Sequence, residues 1–90
     1  MGEIAKAYGN FIKGRRIDKG MTQTEVAKAL GISQVAYSRY ELGQREPNFD
    51  LILSISALLE FKPSEFFDGY MKERLSLYSE RLDRNDSDNR

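Results

Sequence analysis

Apolar residues recur along this chain at the spacing of amphipathic helices. The first stripe consists of Ile4, Tyr8, Phe11 and Ile12. It predicts a helix over residues 3–19, and Gly20 follows as a residue suited to end it. Gly9 and Gly14 weaken this helix, each by about 0.5 to 1 kcal/mol relative to alanine. Tertiary packing must therefore hold it in place.

The next segment contains strong signals for the start and end of two helices. The sequence TQTE is a capping box, in which the Thr22 hydroxyl accepts the backbone N–H of Glu25 and the Glu25 carboxylate accepts that of Thr22. Gly31 then supplies the left-handed residue that a sharp turn requires. Ser33 is suited to cap a third helix over residues 34–42.

The second half of the chain predicts further helices. The segment FDLILSISALLEF is apolar almost all round and predicts a central buried helix, capped by Asn48 or Asp50. Pro63 fits the first position of a short fifth helix. A further, amphipathic helix is expected over residues 70–82. Its apolar stripe consists of Met71, Leu75, Tyr78 and Leu82. Residues 83–90 have no apolar side chain and are predicted to be disordered.

Composition narrows the classes of function. Ninety residues suffice for one small domain, and the chain has no cysteine or histidine, which removes thiolate and imidazole metal sites and the commonest general base. The sequence GNFIKGRR has the glycine spacing of a phosphate loop but lacks the Lys-Ser/Thr that such a loop needs. No apolar run approaches the roughly 20 residues of a membrane helix. We therefore expect a cytoplasmic protein that is not an enzyme, has no cofactor and does not associate with a membrane.

Charge is distributed unevenly although its sum is zero. Residues 1–47 contain 8 Lys and Arg against 5 Asp and Glu, and residues 48–90 contain 6 against 9. A basic front and an acidic back can present one face to a polyanion. Small helical proteins also distribute charge unevenly by chance, and the charge pattern alone favours that second interpretation.

The third predicted helix has two different faces. Tyr37, Tyr40 and Glu41 are expected to point toward the core. The opposite face consists of Gln34, Val35, Ser38 and Arg39. These residue types suit base edges in a DNA major groove: glutamine pairs with adenine, arginine with guanine, serine with either, and valine contacts a thymine methyl. Any surface helix also has a polar face, so this face alone does not establish that the helix binds DNA.

The segment as a whole is more specific. A capped helix, a glycine turn and a second short helix form helix-turn-helix geometry, and the small Ala27 lies where the two helices cross. The motifs KGMTQTEVA, GISQ and YELGQREP resemble the Cro/C1-type (XRE) helix-turn-helix family over residues 8–69. The resemblance implies a compact, all-α, five-helix, lambda-repressor-like domain that binds double-stranded operator DNA, commonly as a homodimer, and regulates transcription, usually as a repressor.

The resemblance also implies roles for individual positions. The base-reading positions are Gln34, Val35, Ser38 and Arg39. The phosphate-contacting positions are Thr22 and Gln23, at the start of the second helix, and Gln44 and Arg45, in the turn after the third. Arg16 and Glu41 match a partly buried ion pair, although two separate solvated charges are the alternative. This chain departs from the family at Glu46, where a basic residue is frequent, and at Arg15, where leucine is frequent. With few cations at the interface, nonspecific affinity should be modest and strongly salt-dependent.

The expected organisation is a DNA-binding domain at 1–69, an additional C-terminal helix at 70–82 and a disordered tail at 83–90. The helix at 70–82 can dimerise through its apolar stripe or pack onto Phe66, Phe67 and the fourth helix. The fold also permits a protein-interaction role, as in an antitoxin or an adaptor, which the neutral charge and the acidic, aromatic C-terminal third favour. No small-molecule effector domain is expected.

Overall fold

The computed structural model describes the backbone of residues 2–88 and the side chains of residues 2–82. Within that range the chain is all-α. Its five helices are α1 (Glu3–Asp18), α2 (Gln23–Leu30), α3 (Gln34–Glu41), α4 (Phe49–Leu58) and α5 (Pro63–Asp88). The all-α, five-helix fold predicted from the sequence is confirmed. None of these helices is long and apolar enough to cross a membrane.

The helix boundaries follow local capping signals. The Thr22 hydroxyl accepts the backbone N–H of Glu25 at 3.1 Å, and the Glu25 carboxylate accepts that of Thr22 at 2.9 Å, which confirms the capping box. The Ser33 hydroxyl accepts the backbone N–H of Ala36 at 3.0 Å and the Asn48 side-chain oxygen accepts that of Leu51 at 2.8 Å, so these side chains cap α3 and α4 without a reciprocal bond. Gly31 ends α2 in the left-handed conformation, with φ of 74°, so the chain turns directly into α3.

The core lies between α1, α2, α3, the C-terminal end of α4 and the beginning of α5. Its largest fully buried side chains are Tyr37, Ile12, Ile55, Leu59 and Val26. Beside them, an aromatic cluster joins α1 to the start of α5, with the rings of Tyr8 and Phe66 5.2 Å apart and those of Phe11 and Phe61 4.9 Å apart. Arg15 places its guanidinium 5.6 Å from the centre of the Phe61 ring. It therefore extends this cluster by a cation–π contact.

Two glycines let α1 lie directly against the C-terminal end of α3. A β-carbon on Gly9 would lie 2.4 Å from the carbonyl oxygen of Glu41. A β-carbon on Gly43, whose φ is 71°, would lie 2.6 Å from the Cα of Lys6. Only glycine allows backbones to approach this closely, so these contacts determine how α1 sits on α3.

The prediction that α4 is a central buried helix is wrong. Only Ile55 and Ser56 are fully buried within this helix, whereas Phe49 is 87% exposed and Leu53 61% exposed. The reason is geometric, because α4 packs against α2 on one side and α5 on another, and the face that carries Phe49 and Leu53 is left exposed. An apolar composition therefore did not mean a central position.

The fifth helix also differs from the prediction. Instead of a short helix and a separate one at 70–82, α5 runs without a break from Pro63 to Asp88, through Gly69. Residues 83–88 continue this helix where a disordered tail at 83–90 was expected, and residues 89–90 lie outside the described range. Extending an existing helix costs far less free energy than starting one, so a single glycine and a polar end do not stop it.

Candidate nucleic-acid interface

The two faces of α3 have the environments that the sequence predicted. Tyr37 is fully buried, and Tyr40 and Glu41 are also buried. On the other side, Gln34 and Arg39 are exposed and Val35 is 56% exposed. Half of this short helix is therefore fixed in the core, and a contiguous polar strip remains open to a partner.

Ser38 lies on the same face of α3 but is less exposed than its neighbours on that face. It is half-buried, and its hydroxyl donates to the carbonyl oxygen of Val35 at 3.2 Å. The oxygen of this hydroxyl still has lone pairs available to accept a hydrogen bond. Ser38 therefore remains available as an acceptor, while its donor is used within α3.

Arg16 and Glu41 form a bidentate ion pair between α1 and the last turn of α3. Arg16 Nε donates to Glu41 Oε2 at 2.6 Å, and Arg16 Nη2 donates to Glu41 Oε1 at 3.1 Å. Arg16 Nη1 also donates to the carbonyl oxygen of Met21 at 2.9 Å. The side chains of Arg16 and Glu41 are only 12% and 2% exposed, so the pair is buried and not two separate solvated charges.

Gln23 connects this ion pair to the exposed face of α3. Its amide nitrogen donates to Glu41 Oε1 at 2.9 Å, and its amide oxygen accepts from Gln34 Nε2 at 2.8 Å. Because an ionised carboxylate only accepts, Glu41 determines which way the Gln23 amide points. A continuous series of hydrogen bonds thus runs from buried Arg16 to exposed Gln34.

The protonation states of this network follow from its contacts. Burial alone would raise the pKa of the Glu41 carboxyl, but the hydrogen bonds from Arg16 and Gln23 outweigh it and bring that pKa below the usual 4.5. The hydrogen bond with Glu41 raises the pKa of Arg16 above its ordinary value. The Tyr37 hydroxyl lies near this carboxylate without a partner in hydrogen-bond geometry, and burial raises its pKa. At neutral pH the ion pair is therefore fully charged and Tyr37 is neutral.

The candidate phosphate contacts lie at two places on the surface. At the start of α2, the Thr22 N–H donates and the Thr22 hydroxyl oxygen accepts within the capping box. The hydrogen of this hydroxyl and the backbone N–H groups of Gln23 and Thr24 have no partner among the described residues. Free N–H groups at a helix N-terminus favour anions. The second place is the turn after α3, where Gln44 and Arg45 are exposed. The start of α2 therefore offers both the Thr22 hydroxyl and two backbone N–H groups as donors to a phosphate.

The link between Gln23 and Gln34 is the feature that the sequence did not reveal. These residues lie 11 positions apart on different helices, and no periodicity connects them. Only the geometry of the turn at Gly31 brings the starts of α2 and α3 together. The resemblance implied separate roles for the two glutamines, and the structure places their side chains in direct contact.

Comparison with known proteins identifies one family and several regulators that this chain is similar to. The model of a family described as Helix-turn-helix matches residues 12–66. The chain is 36% identical over 68 residues to YqaE of Bacillus subtilis (strain 168), described as an uncharacterized HTH-type transcriptional regulator. It is 30% identical over 73 residues to Repressor protein C2 of Salmonella phage P22. These alignments cover 76% and 81% of this chain but only 59% of YqaE and 34% of C2.

A solved structure with a similar fold is the clp gene regulator ClgR from Corynebacterium glutamicum. The TM-score is 0.71 at 26% sequence identity, and the match covers 92% of this chain and 89% of that one. The similarity therefore includes most of α5 as well as the helices around the turn.

Proposed function

Because this chain belongs to the helix-turn-helix family of the XRE, or Cro/C1, type, we propose that it is a transcriptional repressor that inserts α3 into the major groove of operator DNA as a homodimer. The family is one of transcription regulators and not of enzymes. Two relatives, YqaE and the phage repressor C2, carry regulator or repressor in their names, which supports the proposal.

The observation that carries the proposal is the hydrogen bonding of the Gln34 side chain. One of its amide N–H groups is already bonded to Gln23, whose own orientation depends on Glu41. The second N–H and the carbonyl oxygen of Gln34 have no partner among the residues that the structure describes. This donor and acceptor are what the major-groove edge of adenine requires. The network thus holds a base-reading side chain in place before DNA arrives, which lowers the entropy cost of binding.

The other exposed residues of α3 also have side chains that suit contacts with DNA bases. Arg39 has no ion-pair partner among the side chains that the structure describes, so its guanidinium is available to the O6 and N7 atoms of a guanine. Val35, beside Gln34, suits a thymine methyl group. Thr22, Gln23, Gln44 and Arg45 contact phosphates in this proposal and thereby set the position of α3 in the groove.

Arg39→Ala is expected to reduce affinity for the specific site by about 1 to 3 kcal/mol and to relax the preference at one base pair. Arg45→Ala is the matched comparison, because it removes the same side chain from a proposed phosphate contact and should weaken all sequences equally. Fluorescence anisotropy on the specific duplex and its single-base variants measures both effects. An equal loss on every duplex for Arg39→Ala would make Arg39 a phosphate contact and contradict its role as a base reader.

The proposed homodimer uses the apolar stripe of α5. This stripe consists of Met71, Leu75, Tyr78 and Leu82, each about half or more exposed. Only the beginning of α5 packs onto the core, where Phe66 is buried and Tyr70 is half-buried. This exposure supports dimerisation over packing of the stripe onto the chain's own core, which was the alternative drawn from the sequence. A two-fold dimer would place two copies of α3 about 34 Å apart, one turn of DNA, and predicts a palindromic site.

Leu75→Glu is expected to convert the dimer to a monomer without unfolding it, because Leu75 is exposed in the single chain and a charge opposes burial between two helices. Ser76→Glu introduces the same side chain off the stripe and should leave the dimer intact. Sedimentation equilibrium gives the mass of each protein. A monomeric wild type, or a dimer that persists in Leu75→Glu, would contradict α5 as the interface.

A role as a protein-interaction module, such as an antitoxin or an adaptor, is the second candidate. Exposed Phe49 and Leu53 on α4 favour it, because exposed apolar side chains next to one another often mark a protein contact. The two candidates differ in one measurable respect. The interaction module predicts little or no binding to any duplex at low salt, whereas the repressor predicts binding that weakens steeply as salt rises.

A further inference from the structure

A polar cleft lies beside the proposed DNA-reading face, between α1, the start of α2 and the end of α3. Its volume is about 260 Å³. The residues that line it are Lys6, Asn10, Lys13, Gln23, Glu41 and Leu42. Three of them belong to α1, an element to which the resemblance assigned no DNA contact.

The three α1 residues form one exposed row of hydrogen-bond donors. Lys6, Asn10 and Lys13 follow one another at intervals of four and three residues, which places them on the same side of the helix. None of the three side chains makes a hydrogen bond or an ion pair with another side chain that the structure describes. Two ammonium groups and one amide thus lie unpaired along one edge of the cleft.

The cleft has little negative charge to balance them. Its single carboxylate, Glu41, is already bonded to Arg16 and Gln23. The Arg16 guanidinium neutralises this carboxylate, so the two lysines determine the sign of the local charge. The lining of the cleft therefore has a net positive charge, which favours an anion.

The position of this row relative to the proposed DNA contacts is fixed by backbone packing. The backbone of Lys6 lies against Gly43. Gly43 is followed directly by Gln44 and Arg45. At the other end of the row, Lys13 shares the cleft with Gln23 at the start of α2. The row on α1 thus spans the gap between the two places where phosphate contacts are proposed.

We propose that Lys6, Asn10 and Lys13 bind backbone phosphates of the DNA strand that passes between the start of α2 and the turn after α3. This inference rests on the proposed function and adds α1 to the interface. Seven residues of helix rise by about 10 Å, so the two lysines reach separate phosphates. Lysines act here as point charges that release counterions, and the Asn10 amide donates a hydrogen bond, so the contacts are independent of base sequence.

The test compares two double variants with equal loss of charge. Lys6→Gln with Lys13→Gln removes both ammonium groups from the cleft and keeps side chains of similar length. Lys62→Gln with Lys72→Gln removes two exposed lysines from the region of α5, which packs on α1 and α4. Affinity for a short fluorescent duplex of mixed sequence is measured over a series of salt concentrations, and circular dichroism verifies that each variant is folded.

The α1 double variant should bind more weakly at low salt, with a slope of log K against log salt that is shallower by about 1.8, or about 0.9 for each lost phosphate contact. The α5 double variant should keep the slope of the wild type. Equal slopes for the wild type and the α1 variant, or an equal change in both variants, would overturn the α1 contacts while leaving DNA binding in place. A wild type that binds no duplex would instead overturn the proposed function itself, and the α1 contacts with it.

Discussion

Glu41→Gln is expected to lower the free energy of unfolding by about 3 to 5 kcal/mol, the usual cost of removing one partner from a buried ion pair. The substitution preserves size but leaves the guanidinium of Arg16 buried without its counter-charge, since the Arg16 side chain is only 12% exposed. It also replaces one of the two acceptor oxygens by an amide nitrogen, so the hydrogen bonds received either at Oε2 from Arg16 or at Oε1 from Arg16 and Gln23 are lost. Urea denaturation followed by circular dichroism measures the loss.

Glu46→Gln provides the matched control, because Glu46 is exposed and has no ion pair among the described side chains. It should change the free energy of unfolding by less than about 0.5 kcal/mol. A loss of similar size in both variants would contradict the account of the buried pair, because net charge would then be the cause.

The same ion pair predicts how stability depends on pH. The pKa of Glu41 in the folded protein lies below its ordinary value of 4.5, so the unfolded chain binds a proton at a higher pH than the folded one. The contribution of Glu41 to stability is therefore complete above about pH 4.5 and is lost as the pH falls through the lowered pKa. Glu41→Gln lacks this contribution at every pH, so its stability should fall less steeply in acid than that of the wild type.

Gly9→Ala is expected to lower the free energy of unfolding by about 3 kcal/mol, at the upper end of the usual cost of overpacking. The new methyl group would lie 2.4 Å from the carbonyl oxygen of Glu41 and 2.5 Å from that of Tyr40. Both atoms belong to the backbone of α3, so the whole of α1 would have to move to relieve the overlap. Thermal or urea denaturation detects the change.

Gly14→Ala is the control, in the same helix and with the same substitution. Nothing lies within 4 Å of the position that its β-carbon would take, so alanine should stabilise the protein by about 0.5 to 1 kcal/mol through higher helix propensity. The two variants are thus expected to shift stability in opposite directions. Stabilisation by both would show that the close approach of α1 to α3 does not contribute to the fold.

Local chemistry explains which parts of the fold were predictable. The capping box at Thr22 and the N-cap at Ser33 involve residues within one helical turn, and both are present as predicted. The extent of burial of α4 and the continuity of α5 depend on which elements lie next to them. Phe49 and Leu53 have apolar side chains in either case, and only the packing of the whole chain shows that they are exposed.

The features of the candidate site also divide into those that local sequence predicts and those that depend on packing between helices. Periodicity within α3 predicted that Tyr37 and Tyr40 face the core and that Gln34 and Arg39 face outward, as the structure shows. The hydrogen bond between Gln23 and Gln34 was not predictable, because it joins two helices through a turn. The close approach at Gly9 was missed for a related reason, since the sequence shows only the cost of a glycine in a helix and not the contact that requires it.

The central proposal is that the exposed face of α3 reads operator DNA in a two-fold dimer. Selection from a random duplex library at low salt, with the wild-type protein, tests it most directly. The account predicts enrichment of a two-fold symmetric sequence whose half-sites lie about one helical turn apart. Failure to enrich any sequence would contradict it, and the polar face of α3 would then be an ordinary solvated surface.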